Sequence, residues 1–321
     1  MMKTPIWEMI SSHLIRGGSL MEGWTLPAED DASGIRWAPG AMDGVSVYHM
    51  VPYEPDEYMT ARMERAADLM TTRDYNAADE AFYAMTKENG AVRIGPSLCR
   101  VIAREAGEID TEAVFDSAVY LMLSSAHIEC VKIGMTLLQL YRFEEKDLRY
   151  TVKYLGACDE FTLFAASLME KWENGNEEIF ALAKKVRGWG RIHAVEFLKP
   201  DTDEIRQWLL FEGVDNDIMP AYSGITCWEK SGAEKILFDG PGPEEYAALG
   251  RLMDALLDEG PVAGLSALPN ASKVLERFLE LAPRFELVDK DPALFENIRL
   301  WAEKNSMPDI AKMSLKRLTG D

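Results

Sequence analysis

Apolar residues recur along most of the chain at the spacing of one face of an α-helix. The first clear stripe, with positions i, i+4, i+7, i+8 and i+11, consists of Met59, Met63, Ala66, Ala67 and Met70. Such a stripe is typical of the buried face of an amphipathic helix. No proline occurs from residue 97 to residue 199, so helices can follow one another there without interruption. No segment of this region alternates apolar and polar residues as a strand would. The pattern predicts an all-α fold.

The same pattern predicts many short helices joined by short polar connections. After the first stripe comes a helix that ends at Gly90. The following helices are predicted at about 96–105, 111–124, 127–141, 145–155, 160–172, 177–187, 191–199, 203–212 and 244–258, with two more after Pro292 and Pro308. For Asp291, just before Pro292, we expect an N-cap role. Glycines that follow helices are expected to end them in the left-handed conformation. These are Gly107, Gly156, Gly188 and Gly213.

The first 55 residues have a different composition, with five of the fifteen prolines and several glycines. We expect an irregular extension that packs on the helical body through its aromatic residues. The pair Asp43-Gly44, flanked by Val45 and Val47, predicts a short β-hairpin within it.

A glycine-proline segment near the C-terminal end, "FDGPGPEEY", marks a second boundary. The sequence therefore predicts three zones. They are an N-terminal extension at 1–55, helical repeats at 56–237 and a C-terminal helical cap at 238–321.

Three stretches in the middle zone share one plan: an apolar helix, a polar acidic turn and a second apolar helix. They are "VKIGMTLLQLYRFEEKDLRYTVKYL", "FTLFAASLMEKWENGNEEIFALAKKV" and "RIHAVEFLKPDTDEIRQWLLFEG". Small residues occupy similar places in their first helices, at Gly134, Ala166 and Ala194, with spacings of 32 and 28 residues. Over residues 58–235 the pattern resembles the HEAT and armadillo α-solenoids, with shorter repeats. The resemblance implies a right-handed α-α superhelix with a groove that binds other molecules.

The net charge of the chain narrows the class of partner that we expect it to bind. The chain has 34 basic and 54 acidic residues, a net charge of −20, which repels phosphate backbones and anionic lipid. Nucleic acid and membrane surfaces are therefore disfavoured as partners. The four cysteines are scattered without a CxxC pair, which favours reduced thiols. With no signal-peptide pattern and no apolar run of membrane-spanning length, we expect a cytoplasmic protein.

One basic stretch, "KKVRGWGRIHAVEFL" at 184–198, stands out in this acidic chain. The structural interpretation is a tight corner between two helices, with Trp189 folded back towards Ala183. The functional interpretation is a groove site for a ligand or an acidic peptide segment. That site would consist of Arg187, Trp189, Arg191, His193 and Glu196.

A second candidate site lies in "IRWAPGAMDGVSVYH", where an irregular segment concentrates chemically versatile side chains. Its residues are Trp37, Asp43, Tyr48 and His49. The alternative is that these aromatic residues only pack the N-terminal arm onto the body.

No catalytic, cofactor or metal motif is recognisable, and neither a cofactor nor a metal is expected. We therefore expect a non-enzymatic scaffold that binds a protein or peptide in a solenoid groove, with its oligomeric state open. The alternative is an enzyme with a site in the groove. HEAT-like DNA glycosylases need a basic concave surface, which the charge disfavours. The "GWGRIHAVE" stretch also resembles bacterial proteins of which some carry a limonene hydroxylase label, although no haem, flavin or iron motif supports that chemistry.

Overall fold

The computed structural model describes residues 4–27, 37–260, 262–285 and 291–319. These residues form 18 α-helices and no strand, which confirms the all-α class. The chain divides into two compact units, Met1–Phe197 and Leu198–Asp321. The division into two units does not test the three zones, which were predicted from local sequence pattern and remain a prediction.

The described part of the first unit forms eleven helices. They are α1 (Ile6–Ser11), α2 (Ala41–His49), α3 (Glu57–Thr71), α4 (Tyr75–Asn89), α5 (Ala91–Glu105), α6 (Thr111–Ser124), α7 (Ile128–Leu138), α8 (Lys146–Gly156), α9 (Thr162–Met169), α10 (Gly175–Ala183) and α11 (Gly188–Phe197).

The described residues of the second unit form seven helices and a short 3₁₀ turn. They are α12 (Asp203–Phe211), α13 (Ala221–Ser231), α14 (Ala233–Asp239), α15 (Pro243–Leu257), the turn Leu265–Ala267, α16 (Ala271–Phe285), α17 (Pro292–Lys304) and α18 (Pro308–Thr319). The sequence pattern names no helix between residues 212 and 244, where α13 and α14 lie. None of the helices in the described ranges is both long enough and apolar enough to cross a membrane.

Local signals explain where several helices begin and which face they bury. The predicted methionine-alanine stripe of α3 is fully buried. Asp291 accepts a hydrogen bond from the backbone N–H of Leu294 at 3.2 Å, which confirms it as the N-cap of α17. Such a bond satisfies a backbone donor that the first turn of a helix leaves free. The helices α3, α4, α6 and α12 begin in the same way, at Asp56, Asp74, Asp110 and Thr202.

Alternate helices of the first unit contact one another in a row. Helix α5 packs against α7, α7 against α9, and α9 against α11. Sequential neighbours also pack together, as in α3–α4, α6–α7, α8–α9 and α10–α11. Within the second unit, α12 packs on α13, α13 on α15, α15 on α17, and α17 on α18. Each of these two units therefore has its own helical core.

Two local predictions were wrong. The segment predicted as a hairpin at Asp43-Gly44 is the helix α2. Gly40, with φ of 74°, precedes it, and its inner side is buried at Ala41, Asp43 and Gly44. Tertiary contacts therefore decide the conformation here against local turn propensity.

The second wrong prediction concerns the glycines that follow helices. Of the four glycines predicted to be left-handed, only Gly188 has a positive φ. A Cβ on Gly156 would lie 2.6 Å from Cβ of Ala165, and one on Gly213 would lie 2.5 Å from Sγ of Cys227. These two glycines are needed for close packing and not for backbone conformation.

Gly134 lies at the closest approach of α6 and α7. A Cβ there would lie 2.7 Å from the carbonyl oxygen of Ala118 and 2.8 Å from the backbone nitrogen of Met122. Because both atoms belong to backbone, a side chain at this position would push the two helices apart.

We therefore predict that Gly134→Ala lowers the free energy of unfolding by about 1–3 kcal/mol. Urea unfolding of the full chain, followed in the first unit by hydrogen–deuterium exchange, measures this change in free energy. Gly107→Ala is the matched control, since no atom lies within 4 Å of its added Cβ and its φ is not positive. That variant should be neutral or more stable by up to about 1 kcal/mol. Equal effects of the two substitutions would contradict the prediction.

Candidate functional site

Lys132 lies in the middle of α7, within a run of buried residues from Cys130 to Leu138. Its side chain has 0% exposure. The ammonium group donates hydrogen bonds to Oε1 of Glu129 at 2.7 Å and to Oε1 of Glu160 at 2.6 Å. It also forms an ion pair with Oδ2 of Asp43 at 2.7 Å. We call Lys132, Asp43, Glu129 and Glu160 the Lys132 cluster.

Two carboxylates of the Lys132 cluster also bind the beginnings of helices. Oε2 of Glu129 accepts a hydrogen bond from the backbone N–H of Ala91, the first residue of α5, at 2.5 Å. Oε2 of Glu160 accepts one from Gly40, just before α2, at 2.7 Å. Since helix N-termini carry partial positive charge, these contacts stabilise the two carboxylates. The cluster thereby connects α2, α5, α7 and the segment that precedes α9.

The cluster has more negative than positive charge, with one cation and three carboxyl groups. Burial raises the pKa of Asp43 to about 7; Lys132 opposes this rise, and Glu129 and Glu160 add to it. Burial opposes the charge on Lys132, but the carboxylates outweigh it and raise the pKa of that lysine well above its ordinary value. Burial also opposes the charge on Glu160, but Lys132 and the N–H of Gly40 outweigh it and lower the pKa of Glu160. Asp43 therefore takes up a proton more readily than Glu160.

His193, on α11, lies in the same region. Burial, together with the positive charge of Lys132, lowers the pKa of His193 to about 4, so the imidazole is neutral at pH 7. Its Nε2 has no hydrogen-bond partner among the described residues. The imidazole lies 6.5 Å from the ring of Tyr48, nearly parallel to it, and 6.1 Å from the ring of Trp189.

Trp189 packs directly on the backbone of α2. A Cβ on Gly44 would lie 2.1 Å from Cε3 of the indole, and one on Gly40 would lie 3.1 Å from Cβ of Trp189. The two segments that were predicted as separate candidate sites therefore meet, through Trp189 against Gly44 and through His193 against Tyr48. Gly44 is required because the indole leaves no space there for a side chain.

The remaining candidate residues are distributed between interior and surface. Arg191 is buried, and its Nε donates a hydrogen bond to the carbonyl oxygen of Val186 at 3.1 Å. Arg187 and Glu196 are exposed, as are Trp37 and His49. The five residues of the predicted groove site thus do not share one surface. Whether any of them binds a ligand remains a prediction.

Sequence reasoning assigned no role to Lys132, Glu129 or Glu160. One signal was present, because Lys132 interrupts the apolar run "CVKIGMTLL" with Glu129 three residues before it. A lysine on the apolar face of a helix needs a buried counter-charge. In the described part of the chain, no group of three or more histidine, cysteine, aspartate or glutamate side chains is arranged to hold a metal ion. The three carboxylates of the cluster surround the ammonium group instead.

We predict that Lys132→Met lowers the free energy of unfolding by about 3–5 kcal/mol, because it leaves buried carboxylates without their cation. Urea unfolding at pH 7, read in the first unit by hydrogen–deuterium exchange, measures the loss. The matched control is Lys153→Met, which removes a partly exposed ion pair with Glu178 and should cost less than about 1 kcal/mol. A loss for Lys132→Met as small as that of the control would contradict a stabilising role for the cluster.

We also predict that the unfolding free energy of the Asp43→Asn variant, relative to that of the unsubstituted chain, increases as the pH rises. The pKa of Asp43 is about 7 in the folded chain and about 4 when unfolded. Over this interval the folded state holds a proton that the unfolded state has released, so stability falls as the pH rises. The asparagine amide of the variant does not titrate, so the variant does not lose this stability. The difference in unfolding free energy should shift towards the variant by up to about 3 kcal/mol between pH 5 and pH 8. An unchanged difference between these two pH values would show that Asp43 does not titrate in the cluster.

The chain matches no protein-family model, no curated protein and no solved structure. The resemblance to HEAT and armadillo solenoids therefore stays at the level of helical pattern, and the function is argued from the geometry of the chain.

Proposed function

We propose that the chain is a non-enzymatic binding protein, a HEAT-like helical scaffold that receives a segment of another polypeptide. One observation carries the proposal. Two buried, chemically versatile groups of the first unit, Lys132 and His193, lie against residues of α2, while α2 also exposes Met42 and Val47. Lys132 is surrounded by its three carboxylates, and His193 is enclosed with 2% exposure. A catalytic group must reach its substrate, whereas Lys132 faces its carboxylates and His193 faces the rings of Tyr48 and Trp189.

The arrangement of helices in the first unit supports this proposal. The row α5, α7, α9 and α11, in which each helix contacts the next, is what a stack of helical hairpins produces. In a right-handed α-α superhelix, one such row lines the concave face and forms an extended groove. Function in such folds depends on the shape and charge of that face, which suits a binding protein.

The net charge supports a polypeptide partner of a particular kind. At −20 the chain attracts cationic partners and repels nucleic acid. The charge therefore disfavours the alternative of a DNA glycosylase. A cytoplasmic location, where such partners would be met, remains a prediction.

Cross-linking in the native cell tests the proposed function. The full-length tagged chain is captured after treatment with a reagent that joins carboxylates to lysines, in parallel with an unrelated acidic protein of matched charge. We expect one protein to be enriched over this control, with its cross-links concentrated in the first unit. The purified partner should then bind the chain with a Kd below about 10 μM. If no protein is enriched over the control, or the purified candidate does not bind, the proposed function is wrong.

A further inference from the structure

The second unit has a cleft between the start of α13, the end of α15 and α17. Its volume is about 480 Å³, which is within the range of small-molecule sites in proteins. Along α17 its lining residues follow the spacing i, i+3, i+4 and i+7, at Asn297, Leu300, Trp301 and Lys304. Helix α17 therefore presents one continuous face to this space. We call it the α15–α17 cleft.

Charged side chains of both signs line the α15–α17 cleft. Asp254 lies in the last turns of α15 and Asp258 directly follows that helix, while Lys304 is the last residue of α17. Oδ1 of Asp254 accepts a hydrogen bond from Nδ2 of Asn297 at 3.0 Å. Within the described ranges, the side chains of Asp258 and Lys304 form no ion pair and no hydrogen bond. The cleft thus offers two carboxylates and one ammonium group with unused hydrogen-bonding capacity.

Two hydrogen bonds show how these groups are ordered along the cleft. Asn297 lies beside Asp254, and four residues later Nε1 of Trp301 donates to Oε2 of Glu259 at 2.9 Å. Lys304 follows three residues after Trp301, so it lies about 10 Å along α17 from the level of Asn297. Asp254 and Lys304 therefore belong to opposite ends of the cleft.

The wall between these two ends is apolar. Leu257 on α15 and Leu300 and Trp301 on α17 line it. Leu300 is 49% exposed, whereas Trp301 is 6% exposed and its indole is held by Glu259. A ligand that covers the exposed leucine removes apolar surface from water, which favours binding by roughly 25 cal/mol for each Å². The wall therefore suits an aliphatic group.

We propose that the α15–α17 cleft binds a small zwitterion of the amino-acid class. Its ammonium group lies at Asp254 and Asp258, and its carboxylate lies at Lys304. Its aliphatic side chain covers Leu300. A purely anionic ligand would be repelled by the two aspartates, and a purely cationic one by the lysine. A free amino acid and a dipeptide share this chemistry, and both are short enough for the cleft. The inference concerns the second unit and goes beyond the proposed function.

Four leucine derivatives test the chemistry of the cleft. L-Leucine and leucyl-leucine are the zwitterions, N-acetyl-leucine lacks the ammonium group, and leucinamide lacks the carboxylate. Each is titrated into the full-length chain with labelled leucine methyl groups, and the nuclear magnetic resonance signals of Leu257 and Leu300 are followed. We expect at least one zwitterion to shift both signals with a Kd below about 1 mM. The tighter of the two identifies a free amino acid or a dipeptide as the ligand. Both single-charge derivatives should bind at least about tenfold more weakly.

Two variants assign the charges. Asp254→Asn should weaken binding of the tighter zwitterion by about fivefold or more, without weakening N-acetyl-leucine. Lys304→Met should have the same effect on the zwitterion, without weakening leucinamide. The matched controls are Glu276→Gln and Lys273→Met, which make the same changes of charge at exposed positions of α16 outside the cleft. These controls should leave binding unchanged, and the unfolding midpoint establishes that all four variants fold.

Three outcomes would overturn the inference. The first is that neither zwitterion shifts the signals of Leu257 and Leu300. The second is that a single-charge derivative binds as tightly as the zwitterions, and the third is that the control variants weaken binding as much as Asp254→Asn and Lys304→Met. None of these outcomes depends on the capture of a partner by the first unit, so this test and that of the proposed function fail separately.

Discussion

A lysine ammonium group that leaves water for a protein interior loses several kcal/mol of solvation unless hydrogen-bonding anions replace the water. Lys132 recovers that loss from carboxylates in separate parts of the chain, on α2, at the start of α7 and before α9. Each carboxylate can reach the ammonium group only when its own segment is correctly placed. Any other arrangement of these segments leaves a buried charge unpaired, at a cost larger than most single packing contacts. The cluster therefore favours one relative placement of α2, α7 and the residues before α9.

The excess negative charge of the cluster is balanced in two unequal ways. The backbone N–H groups at the starts of α2 and α5 bind Glu160 and Glu129, and a helix N-terminus contributes about 0.3–1 kcal/mol to such a contact. That is less than the cost of one unpaired buried carboxylate, so the helix ends alone do not offset two excess charges. Protonation of Asp43, whose pKa burial raises to about 7, removes one of them. The stability of the folded chain is thereby linked to pH through a residue on the inner side of α2.

The parts of the fold that were predicted correctly depend on local sequence. The buried stripe of α3 and the N-cap at Asp291 depend on residues a few positions apart. Hydrophobic periodicity and capping preferences therefore predict both. The Lys132 cluster was missed because two of its three carboxylates lie far away in sequence, Asp43 being 89 residues before Lys132 and Glu160 being 28 residues after it. Gly44 has the local signature of a turn, and only the indole of Trp189, from α11, explains why a glycine lies in a helix there. Sequence reasoning identified the two candidate segments separately, because only the folded chain brings them into contact.

A helix of nine residues is too short to be stable alone in water, so α2 depends on its inner contacts for its existence as well as its position. The same helix carries exposed apolar residues on its outer side. Trp189 and His193 support α2 from its inner side, and both side chains are buried. This gives the tryptophan and histidine of the basic stretch a role that differs from direct ligand contact. They hold α2 in place from its inner side, whereas Arg187 and Glu196 are exposed.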